Sequence, residues 1–333
     1  MKRLPLALLA LFALFNAAAP LFAQSVANTP RGVVVAHDGV VELPGRWRTG
    51  GVATPGRIVT SSDRIAVLDP LANEVRTIDL ATGRAQLAHT AETPIDAVFA
   101  GGDLYVLARD ARTLERVRDG AFVAVPADPA FVREANGRLY VYSRLEGIVT
   151  ELSLAPFGIR RSARVAPFAS SFEVDGRNGY LVVPREGKVR TLSLETLQPT
   201  GAIDVGAVPV DVARLTSGNA VAGRTLAVAD PSAKKVWIID GVESTSQAFA
   251  RGFIRGLLGL GLYSNQTSQF PTGVDRVFVL GTRWFAYDSA SATLYRFTKT
   301  TSAVVARDVA PSSFAVTADG VAIWRDGRLE LVR

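Results

Sequence analysis

Apolar positions along this chain come in short bursts with the period of extended strands, separated by turn-forming residues. RIAVLD from Arg64, DLYVLA from Asp103, RLYVYS from Arg138, GYLVVP from Gly179, TLAVAD from Thr225, RWFAYD from Arg283 and GVAIWR from Gly320 read as one kind of strand recurring. Their first apolar residues, Ile65, Leu104, Leu139, Tyr180, Leu226, Trp284 and Val321, are separated by 39, 35, 41, 46, 58 and 37 residues. Around the first, the turn PLAN, the strand EVRTIDL, the turn ATG and the strand RAQLAHT complete a unit before PIDAVFA opens the next. Valine, isoleucine, leucine and tyrosine suit sheet faces, whereas Gly, Asn, Asp and Pro end them. Amphipathic helices alternating with strands are absent, which argues against an α/β fold.

Four-stranded units of ~40–45 residues at a fixed period are the signature of propeller blades. Stacking them radially buries both faces of every sheet and protects the end units once the ring closes. The chain ends in VAIWRDGRLELVR, the early strands of a last blade, and GVVVAHDGVVELPGRWR at 32–48 offers strands to complete it. The expectation is therefore an all-β fold: one seven-bladed β-propeller of mainly four-stranded antiparallel sheets, closed by N- and C-terminal strands. Six or eight blades are the alternatives, because the fourth strands are weakly written.

DRIAVLDPLANEVRTIDLATG at Asp63–Gly83, the blade openings at Pro94 and Pro209, and LAVADPSAKKVWIIDG at Leu226–Gly241 resemble exported bacterial β-propellers with YVTN-type repeats, and more loosely NHL-type propellers. The resemblance spans nearly all of the chain after the leader as architecture. It implies a repeat scaffold used for envelope interactions, with enzymes elsewhere in the wider propeller class. The literal YVTN tetrad is missing, so no catalytic residue set carries over.

The N-terminus changes the picture. Lys2 and Arg3, the apolar run Leu4 to Phe15 and NAAAPLFA ending at Ala23 make an export signal over residues 1–23. The expected organisation is a cleaved signal peptide at 1–23, a flexible mature N-terminus at 24–31 and a single propeller over 32–333. The destination is the periplasm or the outside of the cell. No transmembrane segment is expected once the signal is removed.

Composition then removes chemistry. Of 333 residues, 48% are apolar and 20% charged, so the chain has the means to build a large core. It contains no Cys, and its one Met is Met1, which excludes disulfides, thiolate metal sites and cysteine nucleophiles. His37 and His89 are its only imidazoles, too few for a three-His metal site. His37 adjoins Asp38 in a turn, where ordinary turn hydrogen bonding is the simpler reading of the pair. The formal charge of +6 falls to +4 without Lys2 and Arg3, and no long basic run or interleaved aromatic stripe marks a nucleic-acid groove.

What remains is oxygen chemistry and surface recognition. Asp96, Glu173, Asp211 and Asp275 belong to blade-opening segments nearest the axis, where converging carboxylates would be candidate Ca²⁺ ligands. Arg57 and Arg214 could orient an anion beside them. Such a metal would polarise a carbonyl or activate water in a lactonase, hydrolase or lyase. Carboxylates at strand ends are also ordinary features of propellers, and no cofactor beyond this Ca²⁺ is expected.

The largest gap contains an inter-blade insertion, residues 241–273. Phe249, Phe253 and Leu257 fall at helical spacing there, as do Ile254, Leu258 and Leu262, with Arg251 and Arg255 elsewhere. Four glycines weaken this short helix. Packed inward it is a plug; exposed, it binds a partner; pointed outward beside its arginines, it makes a shallow membrane contact. Trp47, between Arg46 and Arg48, is a further candidate contact for an acidic partner. Interblade packing is the simpler role for the other tryptophans and for Tyr105, Tyr140, Tyr142, Tyr180 and Tyr287. The leading reading is a non-enzymatic propeller that binds a protein or envelope component; the competing one is the metal-assisted enzyme.

Overall fold

The computed structural model describes residues 24–215, 224–242, 264–280 and 283–333, and the strands within them form eight separate antiparallel sheets. Blade 1 consists of Gln24–Thr29, Gly32–His37, Val40–Leu43 and Trp47–Gly50. Each strand pairs with the one before it, as expected where tight turns join short strands. Blades 2 to 7 repeat this order from the axis outward. Blade 8 has three strands, Phe314–Thr317, Gly320–Arg325 and Arg328–Val332.

Two expectations do not hold. The propeller has eight blades, not seven, and among the described residues no sheet combines strands from the two termini. The reason lies in Gln24–His37, which folds back on itself: Gln24 pairs with His37 and Thr29 with Gly32. Residues 24–29, expected as part of a flexible lead-in, are therefore the innermost strand of a complete blade. Their sequence, QSVANT, carries too little apolar character to announce a strand.

The second strand of each blade explains why the units fold as they do. In Arg64–Asp69, Ile65 to Leu68 are all fully buried, because a central strand of a radial sheet faces a neighbouring blade on both sides. Apolar clusters fill the successive seams. One joins Val34, Ala36 and Val41 of blade 1 to Ile65, Val67 and Ile78 of blade 2. Another joins Phe285 and Tyr287 of blade 7 to Phe314, Val321 and Ile323 of blade 8. Burial of this kind is the main stabilising contribution.

The eight innermost strands are Gln24–Thr29, Ile58–Thr60, Pro94–Ala100, Pro129–Ala135, Ser171–Val174, Asp211–Leu215, Arg276–Leu280 and Phe314–Thr317. Each neighbours the next, and the last meets the first. At that closing seam the Val26 amide donates to the Ser312 carbonyl at 2.9 Å, and the His37 and Trp324 rings lie 4.7 Å apart.

Because strand direction alternates, the connections sort to two rims. Turns between second and third strands, and the crossings from one blade to the next, lie on one rim, termed the crossover rim. The remaining turns form the hairpin rim. Asp69, Asp230 and Asp288, each ending a second strand, are buried and accept turn hydrogen bonds on the crossover rim. These turns follow directly from the LDPLAN, ADPSAK and YDSASA segments.

Candidate axial site

An inner strand has one neighbour within its own sheet, so side chains and amides near the axis must find partners on adjacent blades. Asp96, Phe131, Ser171, Asp211 and Arg276 occupy equivalent positions on five successive inner strands. Each pairs with the penultimate residue of its own second strand. Arg57 belongs to the same level, since its carbonyl accepts the Leu68 amide at 3.0 Å.

Two acids at this level form the same tie. Asp96 Oδ2 accepts the Val132 amide of blade 4 at 3.0 Å, and Asp211 Oδ2 accepts the Val277 amide of blade 7 at 3.0 Å. In both cases the amide lies one residue beyond the equivalent position of the next blade. A carboxylate here closes a blade-to-blade backbone contact that the sheets themselves leave open.

Their electrostatic surroundings differ. Asp96 is 1% exposed and lies between Arg57 Nε at 3.1 Å and Arg133 Nη1 at 2.9 Å. Arg133 continues the array, donating from Nε to Glu173 Oε1 at 3.2 Å. Burial opposes the Arg133 charge, but Asp96 and Glu173 outweigh it and hold the guanidinium above its ordinary range. Asp211 receives the Ser171 hydroxyl at 2.9 Å. Burial pushes Asp211 up to about 6 against the pull of the Val277 amide and Ser171, while Glu173 adds repulsion.

The sequence-nominated acids therefore divide. Asp96 and Glu173 share Arg133, and Asp211 stands within electrostatic reach of Glu173. Asp275 lies just ahead of its inner strand; its Oδ1 accepts the Ser289 amide at 3.3 Å, and burial raises its carboxyl above the usual range. Arg214 donates to the Val174 carbonyl at 3.2 Å. A dication at the Asp96–Glu173 junction would sit against the Arg133 guanidinium. Among the described residues, no three His, Cys, Asp or Glu side chains gather as a metal-ligand group.

The other nominated residues have different settings. The Trp47 indole packs into the seam of blades 1 and 2, and its Nε1 donates to Leu80 O at 3.1 Å. His37 Nδ1 lies 3.3 Å from Asp38, and His89 Nδ1 lies 3.5 Å from Glu74. The named tyrosines, from Tyr105 to Tyr287, are buried. Phe249, Arg251, Phe253, Arg255 and Leu257 lie outside the described residues. No helix among the described residues is long and apolar enough to cross a membrane.

Arg133, in FVREA, is not among the residues the sequence singled out, because its partners Asp96 and Glu173 lie 37 and 40 residues away on neighbouring blades. A second omitted feature lies away from the axis. Fully buried Glu151 accepts Arg138 Nη1 at 2.7 Å and Arg161 Nε at 2.5 Å, with Arg160 Nε at 3.4 Å. Arg161 Nη2 also donates to Leu194 O at 3.0 Å, binding blade 4 to blade 5.

Comparisons with known proteins agree with the architecture. No family model matches the chain, and no curated protein does so. Among solved structures, the streptogramin B lyase structure has a TM-score of 0.57 at 13% identity, covering 81% of this chain and 89% of its own. BamB from Moraxella catarrhalis has a TM-score of 0.59 at 13% identity, covering 90% and 92%. Dihydro-heme d1 dehydrogenase NirN in complex with DHE has a TM-score of 0.65 at 14% identity, covering 93% and 70%. At these identities the shared property is the propeller fold, which hosts unrelated functions.

Proposed function

We propose that this chain is an exported β-propeller binding protein that recognises a protein or envelope component through one rim, acting in the periplasm or outside the cell. The carrying observation is the use made of the axial acids. Asp96 and Asp211 tie neighbouring inner strands together, and Arg57, Arg133 and Ser171 engage the same carboxylates. Chemistry at the axis thus serves ring assembly, and recognition falls to the loops. The leader at residues 1–23 supports export.

A second reading, a metal-assisted lactonase, hydrolase or lyase, is favoured by Asp211. A carboxyl pushed up to about 6 is suited to proton transfer near neutral pH. Ca²⁺ belongs to that reading alone.

The two are separated by placing photocrosslinking residues at Leu71 on the crossover rim and at Ser62 on the hairpin rim of the full chain in cells that export it. The purified protein is assayed in parallel against lactones and esters with and without Ca²⁺. The binding reading expects crosslinks from one rim to a defined envelope molecule and no turnover sensitive to D211N. Turnover lost in a folded D211N variant, with no crosslink from either rim, overturns it.

A further inference from the structure

Blade 4 connects to blade 5 through VAPFAS, residues 165–170, and this crossing holds Phe168 in an unusual conformation. Its φ is +59°, in the left-handed region that bulky residues avoid. Other crossings that contain non-glycine residues in this region use Thr93, Asp128 and Asp308, whose side chains are short and polar. A large aromatic at such a position needs an explanation, because glycine would satisfy the backbone without strain.

The surroundings determine this conformation from both sides. The buried Tyr142 hydroxyl donates to the Ala166 carbonyl and accepts the Ala169 amide, both at 2.8 Å. Burial pushes Tyr142 up to about 12, so the hydroxyl remains a donor through the physiological range. The Phe168 amide donates to the Arg144 carbonyl at 2.9 Å. Beneath the loop, Gly147 approaches so closely that a Cβ there would lie 2.3 Å from the Ala166 carbonyl carbon.

The result is an aromatic held at the protein surface. Phe168 is 40% exposed, and Leu145 on the adjacent turn is 55% exposed. The Arg185 guanidinium of blade 5 lies over the Phe168 ring, 4.7 Å from its centre. Aromatic and arginine side chains in a preset geometry are effective contact anchors, because little conformational freedom is lost when they bind.

We propose that the crossover rim over blades 4 and 5 is a protein-docking surface. In it, Phe168 enters an apolar pocket of the partner, Leu145 packs at its margin, and Arg185 meets a carboxylate on the pocket's edge. This rests on the binding reading above and names the contact within it. The partner is a folded protein with an acid-rimmed apolar pocket, since a surface-exposed ring covered on one side by a guanidinium is complemented by an apolar concavity of opposite charge at its edge.

The probe is the full chain with a photocrosslinking residue at Leu145, expressed in exporting cells. The crosslinked protein is identified, purified and titrated against the wild type, Phe168→Gly and Arg185→Gln. Glycine preserves the left-handed backbone while removing the ring. The expected result is an F168G melting temperature equal to or above that of wild type, with the complex weakened at least ten-fold; R185Q weakens it about three- to ten-fold. A lower melting temperature with unchanged affinity overturns the proposal by making Phe168 a packing residue. Crosslinking to lipid or to a second copy of the chain also overturns it. Crosslinks from Ser62 but not Leu145 reject this surface while leaving the binding reading; none from either rim rejects both.

Discussion

Asp96 and Asp211 occupy the same position on the inner strands of blades 3 and 6 and accept equivalent amides from the following blades. Asp96 is flanked by two arginines, whereas Asp211 has a serine hydroxyl and a nearby Glu173. The repeat fixes where the acid points, and residues outside the repeat pattern decide which charged and polar groups it meets. One position therefore serves as an arginine-paired clamp in one place and, in another, as a clamp that takes up its proton at about pH 6.

The largest expected effect comes from breaking the arginine-paired clamp. Asp96→Ala leaves Arg57 and Arg133 facing each other and the Val132 amide without its carboxylate. A destabilisation of about 3–5 kcal/mol is expected, the range for breaking a buried ion pair. Urea unfolding at neutral pH checks it, and a loss below about 1 kcal/mol would show that the arginines already interact mainly with water.

The second effect has the opposite sign. The folded-state value of Asp211 lies above the unfolded one, so the folded chain binds more protons between about pH 4 and 6, and stability from this group falls as pH rises through that window. At about 1.4 kcal/mol per unit, the full swing is at most about 3 kcal/mol. Asp211→Asn should flatten this part of the stability–pH curve and match or exceed wild-type stability at pH 7.5. An unchanged curve would place the pH dependence elsewhere.

The smallest effect refines the cause. Glu173→Gln removes the charge repelling Asp211 and should lower the Asp211 midpoint by about half a unit, a change of roughly 0.7 kcal/mol. Titration of the Asp211 carboxyl by NMR in the two proteins measures this shift directly. A rise would mean that Glu173 acts chiefly through Arg133.

The propeller was legible because central strands write themselves plainly. RIAVLD and RLYVYS each carry four consecutive apolar residues, since both faces meet another blade. The missing blade was hidden by QSVANT, whose partners are backbone groups and a seam. The axial acids were nominated from their place in blade-opening segments. Their pairing was not legible, because Asp96 and Arg133 meet only after the blade register brings residues from different repeats together. Phe168 gave even less signal: its exposure depends on the distant Tyr142 hydroxyl and on the close approach of Gly147.

The closing seam has a consequence for assembly. Within the described residues, crossovers join blade 1 successively to blade 8, but none joins blade 8 back to blade 1. Opening at that junction would reveal two different, complementary surfaces, one containing His37 and the other Trp324. Such surfaces favour head-to-tail association, and unless the rotation closes, that geometry propagates into a filament. The contacts that complete a single ring thus also oppose polymerisation.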